Sequence, residues 1–257
     1  MRDDKGKKGQ VTLFIIIAIV IVVIGVLIFA FYPKLKATTG FSVENPEAFL
    51  QDCVGDDLRG LVKTISKQGG SLSPSNYAFY DQTELQYLCY TENYNEAGSR
   101  YPAFLVDSFQ QEITENIKLT IDNCFDSLEE NYKSKFYSTT LRKSLGKIET
   151  KILPKEIRLE LLNYELTIAK DSTEKYTYFN ILLNSNLYEL LGISSDILED
   201  EVNFGQADKI QYMMDNSNLE ITGPKYSDGT NVYIIKNKKT NEVFQFASRS
   251  LVPQPGV

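Results

Sequence analysis

Cys53, Cys89 and Cys124 are the only thiols in a 257-residue chain that contains no histidine. Without an imidazole there is no histidine-based triad, no histidine-ligated zinc and no histidine general base. The three cysteines are scattered, unlike the close pairs of a metal-binding cluster. A nucleophilic role is not expected, because no histidine or neighbouring lysine would hold a thiolate. The chemistry left to them is oxidation. Cys53 falls near the start of one expected helix and Cys124 in the last third of a second. If those helices pack antiparallel, the two sulfurs come level and can form a disulfide. The alternative is three reduced thiols buried as small hydrophobes. Cys89 is left over in the first case, free to compete for a partner or to pair between molecules.

Other side chains could do chemistry in principle. Asp196, Glu199, Asp200 and Glu201 lie close together and could gather around a divalent cation. The stretch reads as helix, however, so its carboxylates point several ways, and it lacks the alternating Asp/Asn and glycine of a calcium loop. A solvated helix face is the expectation, and no metal or other cofactor is expected. The paired glycines of QGGSLSP suggest a phosphate cradle. No lysine or helix start follows at P-loop spacing, so they read as a helix stop and turn. A hydrolase using carboxylates would need two acidic residues converging in a cleft.

Aromatic residues offer a different possibility. Tyr77, Tyr80, Tyr87, Tyr90, Tyr94 and Tyr101 crowd one irregular stretch rich in Asn and Ser. Tyrosine gives contact area at low entropy cost, which makes this stretch the candidate recognition surface. The alternative is that these rings simply cover sheet or helices. Tyr233, Phe244, Phe246 and Arg249 could form a second patch, but inward-facing strand residues filling a core are the preferred reading.

These residues must be positioned by elements that the patterning reveals. Asn45-Pro46 opens a helix with a cap and a first-turn proline. Leu50, Val54, Leu58, Leu61 and Ile65 then recur at helical spacing, and Gly69-Gly70 ends the run. A longer helix is expected from Pro102, with Phe109, Ile113, Ile117, Ile121 and Phe125 at four-residue steps. LQYLCYT, KIETKIL, IRLELLNYELTIAK and KYTYFNILLN read as strands, the third with Ile157, Leu159 and Leu161 on one face. LYELLGISSDILEDEV reads as helix. NLEITGPKY, NVYIIKN and EVFQFAS read as a closing meander, with turns at Asp228-Gly229 and NKKTN. Helices and strands in separate blocks predict an α+β fold, a helical hairpin packed with a largely antiparallel sheet.

Ahead of this domain, Val11 to Tyr32 holds no charged residue. At about 1.5 Å per residue it spans roughly 30 Å, the thickness of a bilayer's hydrocarbon core. The expected organisation is a basic tail over 1–10, a transmembrane helix over 11–32, a linker over 33–44 and an extracytoplasmic domain over 45–257. Arg2, Lys5, Lys7 and Lys8 precede the span and only Lys34 and Lys36 follow it closely, which places the N-terminus in the cytoplasm. The chain carries 27 basic and 34 acidic residues, a net charge of −7. Six of those bases flank the span, so the domain beyond is more acidic than the whole. Such a surface repels nucleic acid. The expected partners are membrane lipid, through 11–32, and a protein or envelope component.

Lys8-Gly9-Gln10 before the apolar run, with Thr12 after it, resembles the class III signal of archaeal type IV pilin-like proteins. The wider layout resembles single-pass membrane proteins of archaea. The resemblance implies cleavage between Gly9 and Gln10 on the cytoplasmic side, with the helix retained as an anchor. Phe14 stands where pilins of this kind carry a glutamate, and Pro33 interrupts the helix that pilins continue into the head. The functional expectation is therefore a membrane-anchored extracytoplasmic protein with a non-catalytic binding or envelope-structural role. A pilin-like filament subunit and a carboxylate hydrolase are the alternatives.

Overall fold

Asn45 is where the described structure begins. The computed structural model describes residues 45–135, 138–143, 146–169 and 172–252. The Gly9–Gln10 junction, the apolar run over 11–32 and the linker lie outside the described residues. Among the described residues no helix is long and apolar enough to cross a membrane.

Helix α1 (Pro46–Lys67) starts as its sequence requires. The Asn45 side chain accepts hydrogen bonds from the amides of Glu47 and Ala48, and proline occupies the first turn. Its buried face is Leu50, Val54, Leu58, Val62 and Ile65. The helix ends where Gly70 N–H returns to the carbonyl of Ile65.

Strands β1 (Tyr77–Tyr80), β2 (Thr83–Tyr90) and β3 (Ser99–Arg100) follow. Helix α2 (Leu105–Ser134) begins three residues later than Pro102, after a cis Tyr101–Pro102 peptide bond, with Phe104 as an N-cap that makes no side-chain capping bond. Its buried residues include Phe109, Ile113, Ile117, Ile121, Phe125 and Leu128. Four-residue steps overshoot a helical turn by about 40° each, so this apolar face winds around the helix. The winding lets the two ends of α2 meet different partners. Phe109 lies against Phe244, with ring centroids 5.9 Å apart, and Phe125 stacks on Tyr164 at 4.7 Å.

Strands β4 (Ser138–Arg142), β5 (Lys147–Leu153), β6 (Glu156–Ala169) and β7 (Thr173–Asn184) make one four-stranded antiparallel sheet. The long β6 pairs with β7 along one side and with β5 and then β4 along the other. Helices α3 (Leu187–Phe204) and α4 (Lys209–Asp215) lead into β8 (Leu219–Thr222), β9 (Thr230–Asn237) and β10 (Val243–Arg249). These last strands form an antiparallel meander, and β10 also pairs in parallel with β2. The second sheet is therefore mixed, with strand order β1-β2-β10-β9-β8 and β3 attached to β2. The fold is α+β with four described helices. The sequence missed β1, β3, β4 and α4, which are too short to show a period.

α1 and α2 pack as the expected hairpin. Ile157, Leu159 and Leu161 of β6 are all buried in the core. The hairpin also covers exposed sheet edges. Gln51 accepts from the amide of Leu182 at 2.8 Å and donates to its carbonyl at 2.9 Å, and Glu47 accepts from Asn180 N–H at 3.3 Å. On the opposite edge Gln110 accepts from Ile152 N–H at 3.0 Å. Side chains thus occupy backbone groups of outer strands that could otherwise recruit another chain.

Candidate cation-rimmed cleft

The sequence RGLVKTISK in α1 places Arg59, Lys63 and Lys67 at four-residue intervals, one row along the helix. Val62 and Ser66 form the adjacent, buried row. Both rows border a cavity of about 600 Å³, within the range of about 300–1,000 Å³ typical of small-ligand sites. The apolar wall is Val62, Leu183, Leu187, Leu190 and Val243. Lys155, on the tight β5–β6 turn, supplies a fourth cation. Arg59 is bonded to exposed Asp56 at 2.6 Å. Lys63, Lys67 and Lys155 form no ion pair among the described residues. On an acidic chain this concentration of positive charge is a local inversion.

One carboxylate lines the cleft, and its capacity is already used. Glu242 accepts from Ser185 Oγ at 2.5 Å, Asn186 N–H at 2.7 Å, Asn186 Nδ2 at 3.2 Å and Thr240 Oγ1 at 2.9 Å. It therefore stands at the start of α3, where the macrodipole favours negative charge and where Asn186 provides no side-chain cap. Replacing Glu242 with alanine should strip these donors of their acceptor and cost about 2–3 kcal/mol. Hydrogen exchange would check this, with faster exchange expected at residues 185–187 and in the β9–β10 turn.

A second polar group is fully enclosed. Glu201, in the acidic run expected to face solvent, has no exposed surface. It accepts from Asn231 Nδ2 at 2.9 Å, from Ser248 Oγ at 2.8 Å and from the hydroxyl of Tyr233. The solvated-face expectation fails at this residue because Ile197 and Leu198 turn the same side of α3 into the core. Burial raises the pKa of Glu201, and its hydrogen bonds pull in the opposite direction. Burial also pushes up the Tyr233 phenol. Asp200 and Asp208 border a shallow depression nearby. Asp200 accepts from the Tyr212 hydroxyl at 2.9 Å and Asp208 caps α4, so both carboxylates have structural partners. Among the described residues no three Cys, Asp or Glu side chains converge as a metal would require.

The cysteines behave as the helical geometry suggested. Cys53 and Cys124 form a disulfide across the hairpin, with Cα atoms 6.0 Å apart. Cys89 is a buried free thiol whose pKa burial pushes up to about 11, which removes it from chemistry at ordinary pH. It packs closely enough that a Cβ on Gly98 would come within 2.4 Å of its sulfur, so that position requires glycine.

The tyrosine-rich stretch is divided among several places. Tyr87 and Tyr90 lie with ring centroids 4.8 Å apart and planes tilted by 55°, Arg249 lies 5.8 Å from the Tyr90 ring, and Tyr87 shares a hydrogen bond with Thr230. Tyr80 packs against the same small cluster. Tyr77, Tyr94 and Tyr101 are exposed, the last two by 74% and 70%. Tyr101 borders a separate small hollow beside Gly69 and Gly70. Tyr233, Phe244 and Phe246 are core residues, as inward-facing strand positions should be. The cleft went unseen in the sequence. Its only local signal is the Arg59-Lys63-Lys67 row, because Lys155, Leu183 and Val243 join it from distant segments. Comparison of the chain with protein-family models, curated proteins and solved structures yields no match.

Proposed function

We propose that this chain is a single-pass membrane protein whose extracytoplasmic domain binds a ligand in the cation-rimmed cleft without transforming it. The cleft carries the proposal. It joins an apolar wall to four cations, and its one carboxylate is held by four hydrogen bonds. Such a set of groups suits holding a molecule in place. The charge-free run over 11–32 supports the anchor, and basic residues ahead of it support a cytoplasmic N-terminus. The Cys53–Cys124 disulfide supports an oxidising exterior for the domain.

Protease added to intact cells should digest the domain and leave a short membrane-embedded fragment. A domain that resists digestion until the cells are lysed would remove the topology, and with it the compartment in which the cleft operates.

A further inference from the structure

We infer that the cleft ligand is a single-chain amphiphile with an anionic head group. This inference rests on the binding role proposed above and names its chemistry. The walls have two characters, and each demands a part of the ligand. The accessible lining is mostly apolar, from Leu183, Val62, Val243 and the alkyl stems of Arg59, Lys63 and Lys67, while Leu187 and Leu190 back it from beneath and are nearly covered. Burying an alkyl chain against this lining removes apolar surface from water, which is favourable. The neighbouring rim is cationic, and three of its charges, Lys63, Lys67 and Lys155, have no carboxylate partner among the described residues.

The first two amides at the start of α3 are already taken. Asn186 N–H is taken by Glu242, and Leu187 N–H is taken by Ser185 Oγ at 3.1 Å. The lysines are therefore the groups placed to meet the head group. Glu242 attracts a cationic head group less strongly than its charge suggests, because its oxygens are already occupied by neutral donors. A cationic amphiphile would still face four positive groups and only this one negative group. A neutral amphiphile would leave the lysines hydrated and gain nothing from them. An anionic head is the one that uses both surfaces. The volume of about 600 Å³ admits a single chain with its head group.

The test uses the full-length protein in nanodiscs and photoreactive probes sharing one alkyl chain with a diazirine. Their head groups are carboxylate, phosphate, alcohol and quaternary ammonium. Cross-linked peptides are mapped by mass spectrometry. Either anionic probe should label peptides spanning 59–67, 183–190 or 240–243 at least tenfold more than the alcohol or the ammonium, and the stronger of the two identifies the head group. The triple variant Lys63→Gln, Lys67→Gln, Lys155→Gln should reduce that labelling at least tenfold, while labelling of 11–32 by chains dissolved in the bilayer stays unchanged. Equal labelling of the cleft by alcohol and anion, or an unaltered triple variant, would overturn the ligand class while leaving a binding cleft. Absence of cleft labelling by all four probes would instead overturn the binding role itself.

Discussion

Replacing Glu201 with alanine is expected to destabilise the domain by roughly 3–5 kcal/mol, because three buried donors lose their shared acceptor at once. Asn231, Tyr233 and Ser248 come from β9 and β10, and the carboxylate comes from the last turns of α3. The residue therefore fixes that helix to the mixed sheet. Two costs oppose each other in the native protein. Enclosing the carboxylate is unfavourable, which raises its pKa, and the three donors recover part of that loss. The alanine variant removes the donors' partner without removing their burial. Urea unfolding should show the difference as a lower midpoint with a similar slope. Coincident curves for variant and wild type would show that the network contributes nothing.

The same group gives the fold a pH dependence of definite sign. A carboxyl with a raised folded pKa binds its proton more tightly in the native state than in the unfolded chain. Its contribution to stability is therefore greatest below the unfolded value, about 4.3, and is lost as pH rises through the folded pKa. Glu201→Gln keeps the volume and abolishes the titration. The stability difference between wild type and this variant should shift against wild type as pH increases across that window. A difference that does not vary with pH would place the titrating proton elsewhere.

Loss of the Cys53–Cys124 bond carries the second large effect. The bonded residues are separated by 71 positions, and closing a loop of that size is worth about 4 kcal/mol in the chain-entropy model. Cys53→Ser and Cys124→Ser should each lower stability by that amount, and the reduced wild-type protein should match them. Cys89→Ala should leave non-reducing electrophoretic mobility unaltered, since Cys89 takes no part in the bond. Alkylation of Cys53 or Cys124 in the folded protein without added reductant would contradict the pairing. The two perturbations also differ in place. The disulfide joins the two helices of the hairpin, whereas Glu201 ties α3 to the mixed sheet, so their combined effect should be close to additive.

Much of this fold is written in local patterns. The Asn45 cap, the proline after it and the Leu50-to-Ile65 stripe define α1 by interactions within a turn or two. Alternation over Ile157, Leu159 and Leu161 defines a buried face of β6 in the same way. The disulfide was legible because it needs only two helices of known length lying antiparallel. The fate of the tyrosines was not legible. Ring size and polarity alone do not say whether Tyr87 meets Thr230 or whether Tyr94 meets solvent.

What the sequence alone determined is the three longer helices, the strands other than β1, β3 and β4, the α+β class and the level at which two cysteines meet. Each depends on residues a few positions apart, or on repeats that such residues build. The tertiary structure alone decided the parallel β2–β10 pairing, the burial of Glu201 inside an acidic run and the cleft beside α1. Those depend on segments far apart in the chain coming together, and no local period records which distant surface a side chain will meet.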